Sequence, residues 1–190
     1  MKGMKYHDYI WDLGGTLLDN YETSTAAFVE TLALYGIRQD HDSVYQALKV
    51  STDFAIETFA PNLEHFLEKY KENEARELEH PTLFGGVSDL LADISSQGGR
   101  HFLVSHRNDQ VLEILEKTSI AAYFTEVVTS NSGFKRKPDP ESMIYLREKY
   151  QIDSGLVIGD RSIDIEAGQA AGLDTHLFTS IVNLRQVLDM

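Results

Sequence analysis

The chain has 190 residues, 42% hydrophobic and 25% charged, which suits one soluble globular domain or a core domain with a small insertion. A formal net charge of -13 argues against non-specific nucleic-acid binding and against an anionic membrane surface, and the lack of cysteine excludes disulfides and thiolate chemistry. No apolar run approaches the roughly 20 residues that cross a bilayer, and the first residues lack the apolar stretch of a signal peptide, so a soluble cytoplasmic protein is expected, monomeric by default.

The first element is a short apolar run, Tyr9-Ile10-Trp11, that ends abruptly at Asp12. An apolar run bounded by a glycine turn predicts a buried strand, and ligands of an open parallel sheet sit outside the carboxyl ends of its strands. Asp12 stands at that end, and Gly14 and Gly15 allow positive φ and close approach of the backbone to a ligand. Asp12 is therefore a candidate nucleophile or metal ligand. Thr16 is placed to support its turn, and Asp19 either orients a hinge or caps the following helix.

A long helical tract follows, with Ala26, Phe28, Val29, Leu32, Ala33 and Tyr35 near the helical period and Gly36 as its stop. His41 to Val50 and Asp53 to Ala60 predict two shorter helices, and Pro61 breaks the pattern. Leu63 to Glu79 resumes it, with Leu63, Phe66, Leu67 and Tyr70 on one face and charged residues on the other. Nothing between Tyr21 and His80 alternates as a strand does. After Pro81 the texture changes. Helices are predicted at Val87 to Gln97, from a cap at Asn108 or Asp109 to about Thr118, from Asp139-Pro140 to Tyr150, at Asp164 to Ala171 and at Asn183 to Met190. Strands are predicted at His101 to Ser105, Glu126 to Thr129, Gly155 to Asp160 and Thr175 to Thr179. Strands alternating with helices predict a parallel sheet with right-handed crossovers. The expected fold is α/β: a Rossmann-like parallel sheet with helices on both faces, residues 1–19 and 81–190, and a small all-helical cap, residues 20–80, inserted after the first strand. An insertion at that point hangs over the ligand crevice, which suggests a lid, with a fixed helical layer as the alternative.

The strand ends share a chemistry. They deliver Asp12, Ser105 and Asp160, with Asp164 one helical turn later, and the basic run Lys135-Arg136-Lys137 precedes Pro138 on the loop after the third strand. Carboxylates brought within a few ångströms repel and raise one another's pKa unless a cation sits among them. Hard oxygen donors suit Mg²⁺, which keeps several waters and also grips substrate phosphates. A lysine and a serine beside that cation make a tetrahedral oxyanion site, and phosphate is its natural occupant.

DLGGT, FLVSH, KRKPDP and GDRSID, in that order, resemble the four motifs of the haloacid dehalogenase superfamily, and the helical cap is most similar to that of its phosphoglycolate-phosphatase branch. The resemblance covers essentially the whole chain. It implies a Mg²⁺-dependent hydrolase of a small phosphorylated metabolite. Asp12 would be the nucleophile that takes the phosphoryl group, and also a metal ligand. Ser105 and the backbone amide of His106 would bind the phosphoryl oxygens, and Lys137 would neutralise charge on nucleophile and substrate. Asp160, Asp164 and the carbonyl of Gly14 would complete the metal site.

One position departs from that pattern. Most phosphatases of the family carry a second Asp two residues after the nucleophile, to protonate the leaving group and activate water. Here the residue is Gly14, which can offer a carbonyl but cannot move a proton. Three readings follow: a phosphatase whose acid is replaced or not needed, with His106 as a candidate surrogate or else an idle side chain; cleavage like that of the phosphonoacetaldehyde hydrolases, with cap Lys49 forming a Schiff base, against a plain solvated lysine; or a catalytically weak binding protein. The metal-free dehalogenases of the family also lack the acid. An intact Asp12, Ser105, Lys137 and Asp160 speaks against decay, because such a cluster is costly unless it holds something. Arg107 either reaches substrate or is exposed, Lys135 and Arg136 widen the positive field or are solvated, and Tyr45, Phe54 and Phe59 join Lys49 as candidates for specificity.

Overall fold

The computed structural model describes residues 3–190. Five strands, β1 (Asp8–Trp11), β2 (Arg100–Val104), β3 (Phe124–Val128), β4 (Gly155–Gly159) and β5 (Asp174–Leu177), form one parallel sheet in the order β3-β2-β1-β4-β5. β1 lies at the centre, with Trp11 paired to Leu103 on one side and to Ile158 on the other. The order turns there: β2 and β3 run off one way, β4 and β5 the other. This makes the carboxyl end of β1 the place where crossovers diverge and a crevice opens.

The pleat explains why the central strands read as continuous apolar runs. Tyr9, Trp11, Leu103, Leu156 and Ile158 feed one buried cluster, while Ile10, Phe102, Val104 and Val157 feed the other. The first cluster is closed by α5 (Val87–Ser96), α6 (Gln110–Lys117) and α9 (Ile181–Val187), through residues such as Leu90, Ile114 and Leu184. The second is closed by α7 (Glu141–Tyr150) and α8 (Ser162–Ala170), through Met143, Leu146 and Ala167. The sheet therefore carries helices on both faces.

The chain divides into two compact units, one made of the chain up to Leu18 with Leu83–Met190, the other Asp19–Thr82. The joints fall one residue earlier and two later than the sequence suggests. Asp19 belongs with the helices because its Oδ1 accepts the Glu22 N–H at 3.1 Å, capping α1 (Asn20–Leu34). The helical unit continues with α2 (His41–Val50), α3 (Thr52–Phe59) and α4 (Phe66–Glu77) around its own core, in which Phe28 meets Phe66 and Tyr70 edge-on. Two expectations change here. The last helix of the unit starts at Phe66 rather than Leu63, because His65 takes a left-handed φ of 59° just before it, and Leu67 is exposed while Asn73 is buried. Asn73 is held by the Thr31 hydroxyl, which accepts from its Nδ2 at 2.9 Å.

In the other unit α7 opens at Glu141 with Pro140 at the cap position, yet Asp139 Oδ1 still accepts the Glu141 N–H at 3.0 Å. Asp109 precedes α6 without capping it by its side chain. Its carboxylate instead accepts the Thr129 hydroxyl at 2.7 Å. Among the described residues, no helix is long and apolar enough to cross a membrane.

Candidate active site

Asp12 follows directly on β1, and its N–H donates to Ile158 O of β4 at 2.9 Å, which fixes the strand end on which its side chain stands. The turn behind it is tight: the N–H groups of Leu17 and Leu18 both donate to Leu13 O. Gly15 takes the left-handed φ of +77° in this turn, and a Cβ there would overlap the Asp160 carboxylate. Gly15 is thus what lets the β1 turn approach the β4 end. Thr16, fully buried, donates from Oγ1 to Asp160 Oδ1 at 3.3 Å. Gly14 is half-buried and bridges to Leu18.

Asp12, Asp160 and Asp164 each offer a carboxylate oxygen, all within 4.8 Å of one another. They are not equivalent. Asp164 is buried at the start of α8, and both its oxygens are engaged: Oδ1 accepts from Lys137 Nζ at 2.6 Å and Oδ2 from the Arg161 N–H at 3.2 Å. Gly159 makes room for it, since a Cβ there would overlap the Asp164 side chain. Burial, with the Asp12 charge second, pushes Asp160 up to about 6 from an ordinary 3.8. Asp164 is raised for the same two reasons, opposed by Lys137. An acidic cluster whose burial and mutual repulsion disfavour charge is one that a hard cation would relieve, and its all-oxygen donors match that use.

Lys137 supplies a cation from within the chain. Its side chain is 3% exposed, and its ammonium donates to Asp12 Oδ1 at 2.8 Å, Asp164 Oδ1 at 2.6 Å and Val104 O at 3.0 Å. Three donors thus meet three acceptors. Ser105, buried at the end of β2, accepts the Arg107 N–H on its Oγ at 3.2 Å, which leaves its hydroxyl proton available to a ligand. The His106 side chain is not idle. Its Nε2 accepts the main-chain N–H of Lys137 at 2.9 Å, and burial, with the Lys137 and Arg136 charges behind it, holds the imidazole down at about 4. A neutral ring whose Nε2 lone pair is occupied is a poor substitute for a missing acid near pH 7.

The structure brings Asp12, Lys137, Asp160 and Asp164 together, with Ser105 and His106 on the adjoining strand exit. Arg107, Lys135 and Arg136 have no bond from their side-chain charges to this cluster. Lys49 belongs to the other unit. It is exposed in the last turn of α2, with its Nζ 5.8 Å from the centre of the Tyr45 ring. Tyr45 donates its hydroxyl to Asp19 Oδ1 at 3.2 Å. Sequence reasoning missed three partners: the Val104 carbonyl, which leaves no mark in side-chain chemistry; the Arg161 N–H on Asp164; and Gly159, which the small residue before Asp160 does signal.

The chain is similar to several known proteins. N-acetylmuramic acid 6-phosphate phosphatase of Pseudomonas putida is 29% identical over 186 residues, spanning 90% of this chain and 82% of that protein. Phosphoglycolate phosphatase of Vibrio parahaemolyticus is 28% identical over 182 residues, spanning 85% and 78%. A crystal structure of a hydrolase from Streptococcus pneumoniae TIGR4 is 93% identical and superposes with a TM-score of 0.96 over 98% of this chain and 100% of that one. The family model of haloacid dehalogenase-like hydrolases matches residues 9–178, from within β1 past the end of β5, and the chain belongs to that family.

Proposed function

We propose that the chain is a Mg²⁺-dependent phosphatase that hydrolyses a small phosphorylated metabolite through a phosphoryl group carried on Asp12. The observation that carries this reading is the buried Lys137 ammonium shared between Asp12 and Asp164 at the centre of the strand ends. An Asp12 oxygen attacks phosphorus, the bond from phosphorus to the leaving oxygen breaks, and the leaving group departs with its electron pair. Water then attacks the phosphorus of the acyl phosphate, which frees Asp12 and inorganic phosphate. Lys137 offsets the charge of Asp12 and of the phosphoryl oxygens as they approach. Ser105 Oγ and the His106 main-chain N–H donate to those oxygens. Asp12, Asp160, Asp164 and the Gly14 carbonyl would hold Mg²⁺, which supplies further neutralisation of phosphoryl charge. The similarity to two phosphatases of small phosphomonoesters supports the substrate class. The helical unit, inserted directly after the turn that carries Asp12, is the cap of this reading.

The test is hydrolysis of p-nitrophenyl phosphate. Turnover is expected with Mg²⁺, with loss in EDTA and in Asp12→Asn. Unchanged turnover in Asp12→Asn overturns the assignment of the nucleophile, and no turnover by the native chain overturns the phosphatase.

A further inference from the structure

We propose that His106 is a positioning residue that works as a hydrogen-bond acceptor: its Nε2 takes the Lys137 main-chain N–H, so the ring is held as the neutral Nδ1–H tautomer and Lys137 is locked to the β2 exit. This deepens the phosphatase reading, and its kinetic arm rests on it. The argument starts from a donor whose proton is never in doubt. A backbone N–H can only donate, so the nitrogen 2.9 Å from it must present a lone pair. The ring proton is then on Nδ1.

The bond spans 31 residues of sequence and reaches the backbone of the residue that matters. Lys137 is held a second time by the same strand exit, because its ammonium donates to Val104 O at 3.0 Å. Val104 and His106 flank Ser105. One tripeptide therefore grips Lys137 at its main chain and at its side-chain tip, with the phosphoryl-binding hydroxyl between the two grips. These two bonds tie Lys137 to both neighbours of Ser105. Other ties hold the same loops further out: Ser130 N–H to Arg107 O at 2.8 Å, Thr129 hydroxyl to Asp109 at 2.7 Å, and Lys135 N–H to Glu141 Oε2 at 2.7 Å. None of these reaches Lys137 itself. The role also explains why His106 is no acid here, since a nitrogen that accepts a main-chain proton cannot deliver one to a leaving group from the same lone pair.

Two measurements test this. The first needs no substrate. Long-range ¹H–¹⁵N correlation of the native chain at neutral pH should show an Nδ1–H tautomer that His106→Gln removes. His101 is an internal contrast, because its Nδ1 accepts the Trp11 indole N–H at 3.0 Å, which places its proton on Nε2. A His106 signal of the Nε2–H form, or of the imidazolium, overturns the proposal. The second compares His106→Leu with His106→Gln, whose Oε1 can stand where Nε2 stood. Misplacing a charged group by about 1 Å costs up to about 100-fold, so Leu should lower kcat on p-nitrophenyl phosphate by about 10–100-fold with a smaller change in KM. Gln should recover most of that loss. Equal impairment of both variants, or none in Leu, overturns the positioning role. Absence of turnover in the native chain is a failure of the phosphatase reading instead, and the tautomer measurement then decides the proposal alone.

Discussion

At position 14 the chain offers a carbonyl and no carboxyl, and three of the groups near Asp12 have their donors or lone pairs engaged. Lys137 has all three protons committed, Thr16 is buried on Asp160, and His106 Nε2 is occupied by a main-chain proton. A general acid is typically worth about 10²–10⁴-fold, most for leaving groups that are strong bases and least for those that depart unaided. Turnover by this chain should therefore fall steeply from aryl to alkyl phosphates. Gly14→Asp should flatten that dependence, raising kcat/KM for an alkyl phosphate by about 10-fold or more while changing p-nitrophenyl phosphate little. The check is a series of phosphate monoesters of graded leaving-group pKa with both chains. A shallow dependence in the native chain would mean that a proton donor exists which these residues do not supply. The candidate site was legible at this scale where chemistry is carried by side chains. Asp12, Ser105, Lys137 and Asp160 can be read because carboxylates, a hydroxyl and a lysine at strand ends imply one another. The Val104 carbonyl, the Arg161 N–H and the His106–Lys137 bond could not be read, because each depends on where a backbone group points.

At the scale of elements, β2 carries a cost that its apolar run conceals. His101 is fully buried, accepts from Trp11 Nε1 and bonds Leu91 O at 3.0 Å, and burial holds it down at about 4 from an ordinary 6.5. A base whose folded pKa lies below its unfolded value binds fewer protons folded than unfolded. The stability it allows is fully present above about 6.5 and is lost as pH falls towards about 4. The slope is about 1.4 kcal/mol per pH unit within that window for each such histidine. His106, also held at about 4, acts in the same direction but by less, because it is only partly buried and solvent screens its charge. Urea unfolding at pH 7 and pH 5.5 should show the loss, and His101→Gln should shrink the difference while lowering stability at pH 7 by removing the ring that Trp11 packs and bonds. A pH dependence unchanged in that variant would show that His101 is not the titrating group. The strands were legible here because central strands of a parallel sheet are apolar on both faces. Their register and order were not, since pairing of β1 with both β2 and β4 depends on contacts more than 80 residues apart. Caps decided helix starts: Asp19 opens α1 at Asn20, which one of its two sequence readings anticipates, and Ser180, accepting the Asn183 N–H at 3.1 Å, starts α9 at Ile181 rather than Asn183.

At the scale of the whole molecule the same chain builds two cores that do not share residues. The clusters around Trp11 and Ile10 lie outside Asp19–Thr82, and the cluster around Phe28 lies wholly within it. The change of texture at Pro81, where helical periodicity gives way to alternating strands and helices, falls near this division. Separate cores predict separable folding, since each unit buries its own apolar area without drawing on the other. The joint is suited to a cut. Leu18 and Leu83 form an antiparallel bridge, and the Asp19 N–H donates to Thr82 O at 2.8 Å, so the chain leaves and returns as the two arms of a hairpin. Replacing Asp19–Thr82 by a tight Asn-Gly turn, of the kind that closes two-residue hairpins, should leave the α/β unit folded. Circular dichroism should then lose helix and keep the strand signal. Urea unfolding should remain a single cooperative transition, with a smaller m-value because roughly a third of the chain is gone. Loss of cooperativity in the shortened chain would mean that the sheet needs the helical unit to hold its packing. A single transition at a midpoint near that of the full chain would place the stability of β1 and its neighbours in the two buried faces of the sheet alone, and would free the helical unit to vary in sequence without risk to the strand ends that carry Asp12, Ser105 and Asp160.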